Sequence, residues 1–107
     1  MLGKTVTVTV DRPLGSYHPE HSDIYYTVNY GYVNGIIAAD GEYQDAYILG
    51  INEPVTEFTG KVIAIIHRLD DTEDKCVVAP PDCNFTENEI YEQVKFQERF
   101  FNTYIEM

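Results

Sequence analysis

Thr5-Val6-Thr7-Val8-Thr9-Val10 alternates polar and apolar side chains without a break. Successive side chains of a strand point to opposite faces, so Val6, Val8 and Val10 share one side and this stretch reads as a strand with a core-facing surface. Outward from it the chain stays mainly β. Residues 11–23, with Pro13, Gly15, Ser16 and Pro19, interrupt the pattern as a loop. Residues 24–37 are rich in Tyr, Val and Ile and punctuated by Gly31 and Gly35, which predicts one bent strand or two short ones joined at a glycine. Gly41 marks a turn. Residues 46–51 and 61–69 follow as strands, separated by a loop that contains Pro54 and is closed by Thr59 and Gly60. Residues 75–79 form a short last strand, ended by Pro80 and Pro81.

The C-terminal segment reads as a helix whose start is marked twice. Thr86 with Glu89 makes a capping box, and Phe85 with Ile90 occupies the positions of a hydrophobic staple. Ile90, Val94, Phe101 and Ile105 recur at helical spacing and extend the helix over about 86–105, with Glu87, Glu92 and Glu98 left for solvent. Five or six short strands within 4–79, glycine corners and one closing helix predict a mainly β fold. The architecture expected is a small, strongly curved antiparallel β-barrel of OB type with the helix packed on it.

A chain of 107 residues makes one domain with a single modest core. Nine Tyr, five Phe and a hydrophobic share of 44% are enough to fill it. Eighteen acidic residues against seven basic ones leave a net charge of −11, and no basic cluster stands out. Each phosphate contact on a nucleic acid needs a cation, so nucleic-acid binding is excluded as a function class, and an anionic membrane surface is disfavoured for the same reason. The N-terminus enters the first strand without a basic and apolar leader, which predicts no secretion signal. The longest apolar stretch, 62–66, is far short of the roughly 20 residues of a spanning helix. The expectation is a soluble, cytoplasmic protein in which Cys76 and Cys83 are ordinary thiols.

Seven of the eighteen acids fall in two short runs, Asp40, Glu42 and Asp45, then Asp70, Asp71, Glu73 and Asp74. Each run sits at a strand end where the backbone turns and can direct carboxylates into one space. Hard cations relieve the resulting repulsion, and magnesium in particular uses a few carboxylates, waters and substrate phosphates. Solvated hairpin turns are the plainer alternative. Neither run is an EF-hand loop, because the sixth residue is Asp45 or Lys75 rather than Gly. Gly3-Lys4-Thr5 lacks the leading glycine of a P-loop. His18, His21 and Asp23 have the types of a metal trio, but a surface loop accounts for them more simply.

Asn29-Tyr-Gly-Tyr32, then Asp40-Gly-Glu-Tyr-Gln-Asp45, then an Asp-rich turn leading to Lys75 and a Val-Val-Ala-Pro strand, resemble in order and spacing the family I soluble inorganic pyrophosphatases. Phe100-Phe101-Asn-Thr-Tyr104 is similar to that family's closing segment, and the likeness spans roughly residues 24–105. The resemblance implies an OB-type barrel, an oligomer, a Mg2+ cofactor and hydrolysis of a small phosphate substrate, inorganic diphosphate. It implies Asp40, Asp45 and Asp70 as magnesium ligands, with Asp71 and Glu73 as alternatives in the second run. Glu42 and Asp45 would serve catalysis at the attacking water, and Arg12, Tyr26, Lys75 and Tyr104 would bind phosphate.

Departures accompany the match. No Lys and Glu pair precedes Val6, Ile105 stands where the family has a terminal lysine, and Glu42 is one methylene longer than the aspartate it replaces. Each residue also has a structural alternative: Tyr26, Tyr30 and Tyr32 can cover one sheet face, and Lys75 can pair with Glu73 or Asp74. The rival function is a non-catalytic module that binds a metal or phosphate ligand on the same barrel.

Overall fold

The computed structural model describes residues 1–71 and 73–107. Six strands and one helix follow in the order β1 (Thr5–Arg12), β2 (Asn29–Ile37), β3 (Tyr43–Ile48), β4 (Glu57–Arg68), β5 (Asp74–Ala79), α1 (Glu87–Glu98) and β6 (Thr103–Glu106). Neighbours pair in the order β1-β2-β3-β5-β4, and β1 returns to β4, which closes a five-stranded barrel. The closing seam runs from Thr5 opposite Lys61 to Thr9 opposite Glu57, with the Thr7 and Thr59 hydroxyls 2.8 Å apart. The barrel is mixed rather than wholly antiparallel, because β3 and β5 run parallel through Ala46–Cys76, Tyr47–Val77 and Ile48–Val78. Both strands are buried on both faces, as parallel strands usually are.

That double burial divides the core into two clusters. Val6, Val8, Val33, Ala46, Ile48, Val62, Cys76 and Val78 form one. The alternate residues Tyr47, Leu49 and Val77 face the other way and pack with Tyr26, Tyr30, Ile66, Ile90 and Val94 on the side of α1. A register shift between Val62 and Ala64 moves β4 from the first cluster to the second. Ala64, Ile66 and Arg68 then follow at period two on buried positions, so Arg68 ends a core-facing row.

The capping box forms as read, with Glu89 N donating to Thr86 Oγ1 at 3.1 Å and Thr86 N to Glu89 Oε1 at 2.8 Å. The helix ends at Glu98, not near 105. The chain turns at Phe101, whose N–H donates to the Glu98 carbonyl, and Thr103, Tyr104 and Ile105 then pair with β4 as β6. Two of these three are β-branched and one aromatic, which suits a pleated strand better than a fourth helical turn. Glu98, expected at the surface, is fully buried. Other boundaries move as well: 24–28 lies outside β2, β3 starts at Tyr43, and β4 begins at Glu57, so Thr59 and Gly60 are strand residues. Cys76 and Cys83 are free thiols. Among the described residues no helix is long and apolar enough to cross a membrane.

Gly31 is required where β1 and β2 cross closely. A Cβ there would lie 1.9 Å from the Thr9 carbonyl oxygen. The pairing register shifts between Val10 and Arg12 directly opposite, leaving Asp11 as the extra residue. Such a bulge bends the strand and re-aims the residues that follow. Gly31→Ala should lower the unfolding free energy by about 1–3 kcal/mol or more, as overpacking against rigid backbone does, read as a lower denaturant midpoint.

His67 ties three strands together. Its Nδ1 lies 3.0 Å from Asp74 Oδ1 on β5 and its Nε2 2.7 Å from Glu106 Oε1 on β6, and its ring stacks on Tyr104. The Glu106 hydrogen bond, against partial burial and aided by Asp74, raises its pKa above the ordinary 6.5. A raised folded-state pKa stabilises fully below the unfolded value and fades as pH climbs through the folded one. The stability advantage of the natural chain over His67→Gln should therefore be largest near pH 6 and shrink by pH 8.5, measured by thermal denaturation at both.

Candidate active site

One end of the barrel opens into a cavity of about 460 Å³ between the β1–β2 loop, the ends of β3, β4 and β5, and the end of α1. Burial sorts its lining. Tyr30, Arg68, Lys75 and Gln97 are buried, Arg12, Asp45 and Glu73 are partly covered, and His21, Asp23 and Phe100 lie at the exposed rim. The bulge at Asp11 delivers Arg12, and the parity of β4 delivers Arg68.

Behind the cavity runs a continuous hydrogen-bonded chain. Arg12 Nη1 donates to the Tyr26 hydroxyl (2.8 Å), which donates to Gln97 Oε1 (2.6 Å). Gln97 Nε2 donates to the Tyr47 hydroxyl (2.7 Å), which donates to Glu98 Oε2 (2.5 Å). Arg68 closes on Glu98 through Nε to Oε1 (3.0 Å) and Nη2 to Oε2 (2.7 Å), and stacks on the Phe101 ring at 3.6 Å. Its Nη1 reaches Glu73 Oε2 at 3.3 Å. Burial, and for Tyr47 the Glu98 charge next, push the Tyr30 and Tyr47 hydroxyls well above their usual pKa, so both remain protonated.

Lys75 occupies the floor. Its Nζ contacts Asp45 Oδ2 at 2.5 Å and Glu73 Oε2 at 3.1 Å and leaves the side chain 4% exposed. Of the pairings expected from sequence, the one with Glu73 forms, and Asp45 is the nearer partner.

Of the residues singled out from sequence, Arg12, Lys75, Asp45 and Glu73 meet in this cavity, and Tyr26 stands directly behind Arg12. Asp40 and Glu42 do not line it. Both are exposed in the β2–β3 turn, where Asp40 Oδ1 accepts the Glu42 N–H, and Asp40 borders a separate recess of about 40 Å³ beyond Asp45 and Glu73. Asp70 is turned to the start of β6, accepting the Asn102 N–H. Asp71 accepts the Glu73 N–H and approaches Arg68 at 3.8 Å. Tyr104 lies exposed on β6 against His67, outside the cavity. His18, His21 and Asp23 do line it.

Sequence reasoning missed Arg68, Gln97 and Glu98. Gln97 and Glu98 follow Ile90 by seven and eight positions and so share its face, a spacing obscured by carrying the apolar series on to Phe101 and Ile105. Arg68 continues the buried parity of Ala64 and Ile66, visible only once the β4 register shift is known.

Among the described residues no three His, Cys, Asp or Glu side chains stand together as a group able to hold a metal ion. The two carboxylates that do converge, Asp45 and Glu73, converge on the Lys75 ammonium. This donor set does not fit a resident magnesium centre built by the protein alone.

Neither a protein-family model nor a curated protein sequence matches the chain. Solved structures do. An inorganic pyrophosphatase from Ehrlichia chaffeensis superposes with a TM-score of 0.74 at 15% identity, over 99% of this chain and 87% of that one. One from Neisseria gonorrhoeae gives 0.68 at 19% identity, over 88% and 72%. An inorganic phosphatase from Anaplasma phagocytophilum gives 0.56 at 18% identity over 72% of this chain, which spans 57% of that protein. At these identities the likeness is one of fold: the five-stranded mixed barrel with its helix is the fold of inorganic pyrophosphatases.

Proposed function

We propose that the cavity takes inorganic diphosphate and hydrolyses it to two orthophosphates. The observation that carries this reading is the meeting, in one cavity of a pyrophosphatase fold, of Arg12 and Lys75 with the carboxylates Asp45 and Glu73. Phosphoryl transfer asks a protein mainly for positioning and charge neutralisation. Arg12 presents a fork of N–H donors held in place by Tyr26, and Lys75 a compact charge on the floor. A phosphate oxygen that draws the Lys75 ammonium toward itself leaves Asp45 as a free carboxylate beside the substrate. Asp45 then orients a water and accepts its proton as the phosphorus is attacked, and Lys75 steadies the departing phosphate. Glu42, outside the cavity, has no part in this scheme. Magnesium would arrive as part of the substrate, bound to the diphosphate, and would neutralise phosphate charge that Arg12 and Lys75 do not meet.

The neutralisation of Asp45 and Glu73 by Lys75 also favours a second reading, a module that binds the phosphate ligand without turnover. One pair of measurements separates the two. Purified protein should release orthophosphate from diphosphate only when magnesium is added, and Asp45→Asn should cut the rate by about 100-fold or more. Calorimetric binding of magnesium diphosphate with no phosphate release would establish the module instead, and neither binding nor release would sink both.

A further inference from the structure

Ile105 stands where the resemblance leads one to expect a lysine, and a dianionic group entering this cavity must meet donors. The end of β1 and the β1–β2 loop each hold a side chain with unused donor capacity. Among the described residues Arg12 makes one hydrogen bond, to Tyr26, and no ion pair, while its guanidinium packs 5.8 and 5.6 Å from the Tyr26 and Tyr30 ring centres. His18, also in the cavity lining, lies nearly parallel to the same Tyr26 ring, with centres 6.4 Å apart and planes 18° from each other.

The His18 ring is fixed in its chemistry as well as its place. Its Nδ1 accepts the backbone N–H of Glu20 at 3.0 Å, so in the neutral imidazole the proton is on Nε2. Burial, then the Arg12 charge and His21, hold the His18 pKa below the ordinary imidazole value, so this tautomer dominates at neutral pH. No other hydrogen bond is made by the ring, which leaves Nε2–H as a donor without a protein acceptor among the described residues. Glu20 and Asp23 stand near on the same loop and Arg12 on β1, so the surroundings carry both signs, and a neutral donor adds a hydrogen bond there without a second cation to desolvate.

We infer that His18 is a substrate-binding residue of this cavity, donating from Nε2–H to a phosphate oxygen that Arg12 also holds. The end of β1 and the loop that follows it are then the recognition arm for one phosphate of the diphosphate. This rests on the proposed function, since the ligand is the same diphosphate.

The test is calorimetry with magnesium and inorganic diphosphate on the natural chain, His18→Ala and His18→Gln, with the ¹⁵N shifts of the His18 ring followed in the natural chain. The expected result is binding weakened about tenfold or more by His18→Ala. His18→Gln, whose amide keeps a donor, should restore much of it, and the Nε2 resonance should move on adding diphosphate while Nδ1 keeps its unprotonated signature. Circular dichroism of His18→Ala should match the natural chain, because the residue lies on a loop. Undiminished diphosphate binding by a folded His18→Ala, or an Nε2 shift that does not respond, overturns this inference and leaves the proposed function standing. No diphosphate binding by the natural chain overturns both.

Discussion

The structure turns on a buried ion pair. Arg68, at the last position of β4, and Glu98, at the last position of α1, meet in two parallel hydrogen bonds with side-chain exposures of 5% and 1%. Burying either charge alone costs several kcal/mol, and the pair is tolerable only because every oxygen and most donors are used. Tyr47 fills the remaining acceptor site on Glu98, Glu73 takes Arg68 Nη1, and Phe101 covers the guanidinium face. The consequence is geometric. The helix end is pinned to the strand end, α1 cannot continue through Phe101, and the chain is turned back along β4 as β6. The same pair forms the back wall of the cavity, so the interaction that ends the helix also shapes the site.

From that pair the polar network spreads in two directions and determines which side chains face the cavity. Through Tyr47, Gln97 and Tyr26 it reaches Arg12, whose approach depends on the bulge at Asp11 and the absent side chain of Gly31. Through Glu73 it reaches Lys75 and then Asp45. Arg12 and the Lys75–Asp45 pair thus stand at the two ends of one bonded chain that crosses the barrel end. A buried network of this kind is rigid when every member is satisfied, which suits a site that must hold donors apart at a set spacing.

What the sequence discloses follows from the range of each signal. The alternation of β1 and the Thr86–Glu89 capping box are local, decided by side chains a few positions apart, and the structure reproduces both. The barrel was legible from the count of short strands, the glycine corners and the single closing helix. The parallel β3–β5 pair was missed, the expected barrel being antiparallel, although the unbroken apolar runs Ala46-Tyr-Ile-Leu49 and Cys76-Val-Val-Ala79 carry its signal, since a strand covered on both faces need not alternate. What could not be read depends on contacts between distant residues. Glu98 is charged and its burial has no local cause; Arg68, thirty positions earlier, and Tyr47 make it tolerable. The same holds for the acidic runs. Asp40, Asp45 and Asp70 are equivalent as residue types, and only the strand register and the Asn102 N–H decide that Asp45 faces the cavity while Asp70 caps a turn.

The net charge of −11 acquires a sharper meaning on this background. A chain so acidic repels an anion at long range, and at physiological salt that field is screened beyond about 8 Å. Attraction for the proposed phosphate ligand must therefore be local. Of seven Lys and Arg residues, Arg12, Arg68 and Lys75 line one cavity, two of them buried where water no longer weakens their interactions. Two of the three are already matched by carboxylates, which makes them stable to bury but leaves less charge for a ligand. Arg12, carrying no ion pair among the described residues, is the exception, and a divalent cation arriving on the ligand would reduce the charge the cavity must meet. The acidic composition and the three cations of the cavity are in this sense one arrangement: the carboxylates keep Arg68 and Lys75 in place, and under the proposed function recognition of phosphate falls to the donors they do not occupy.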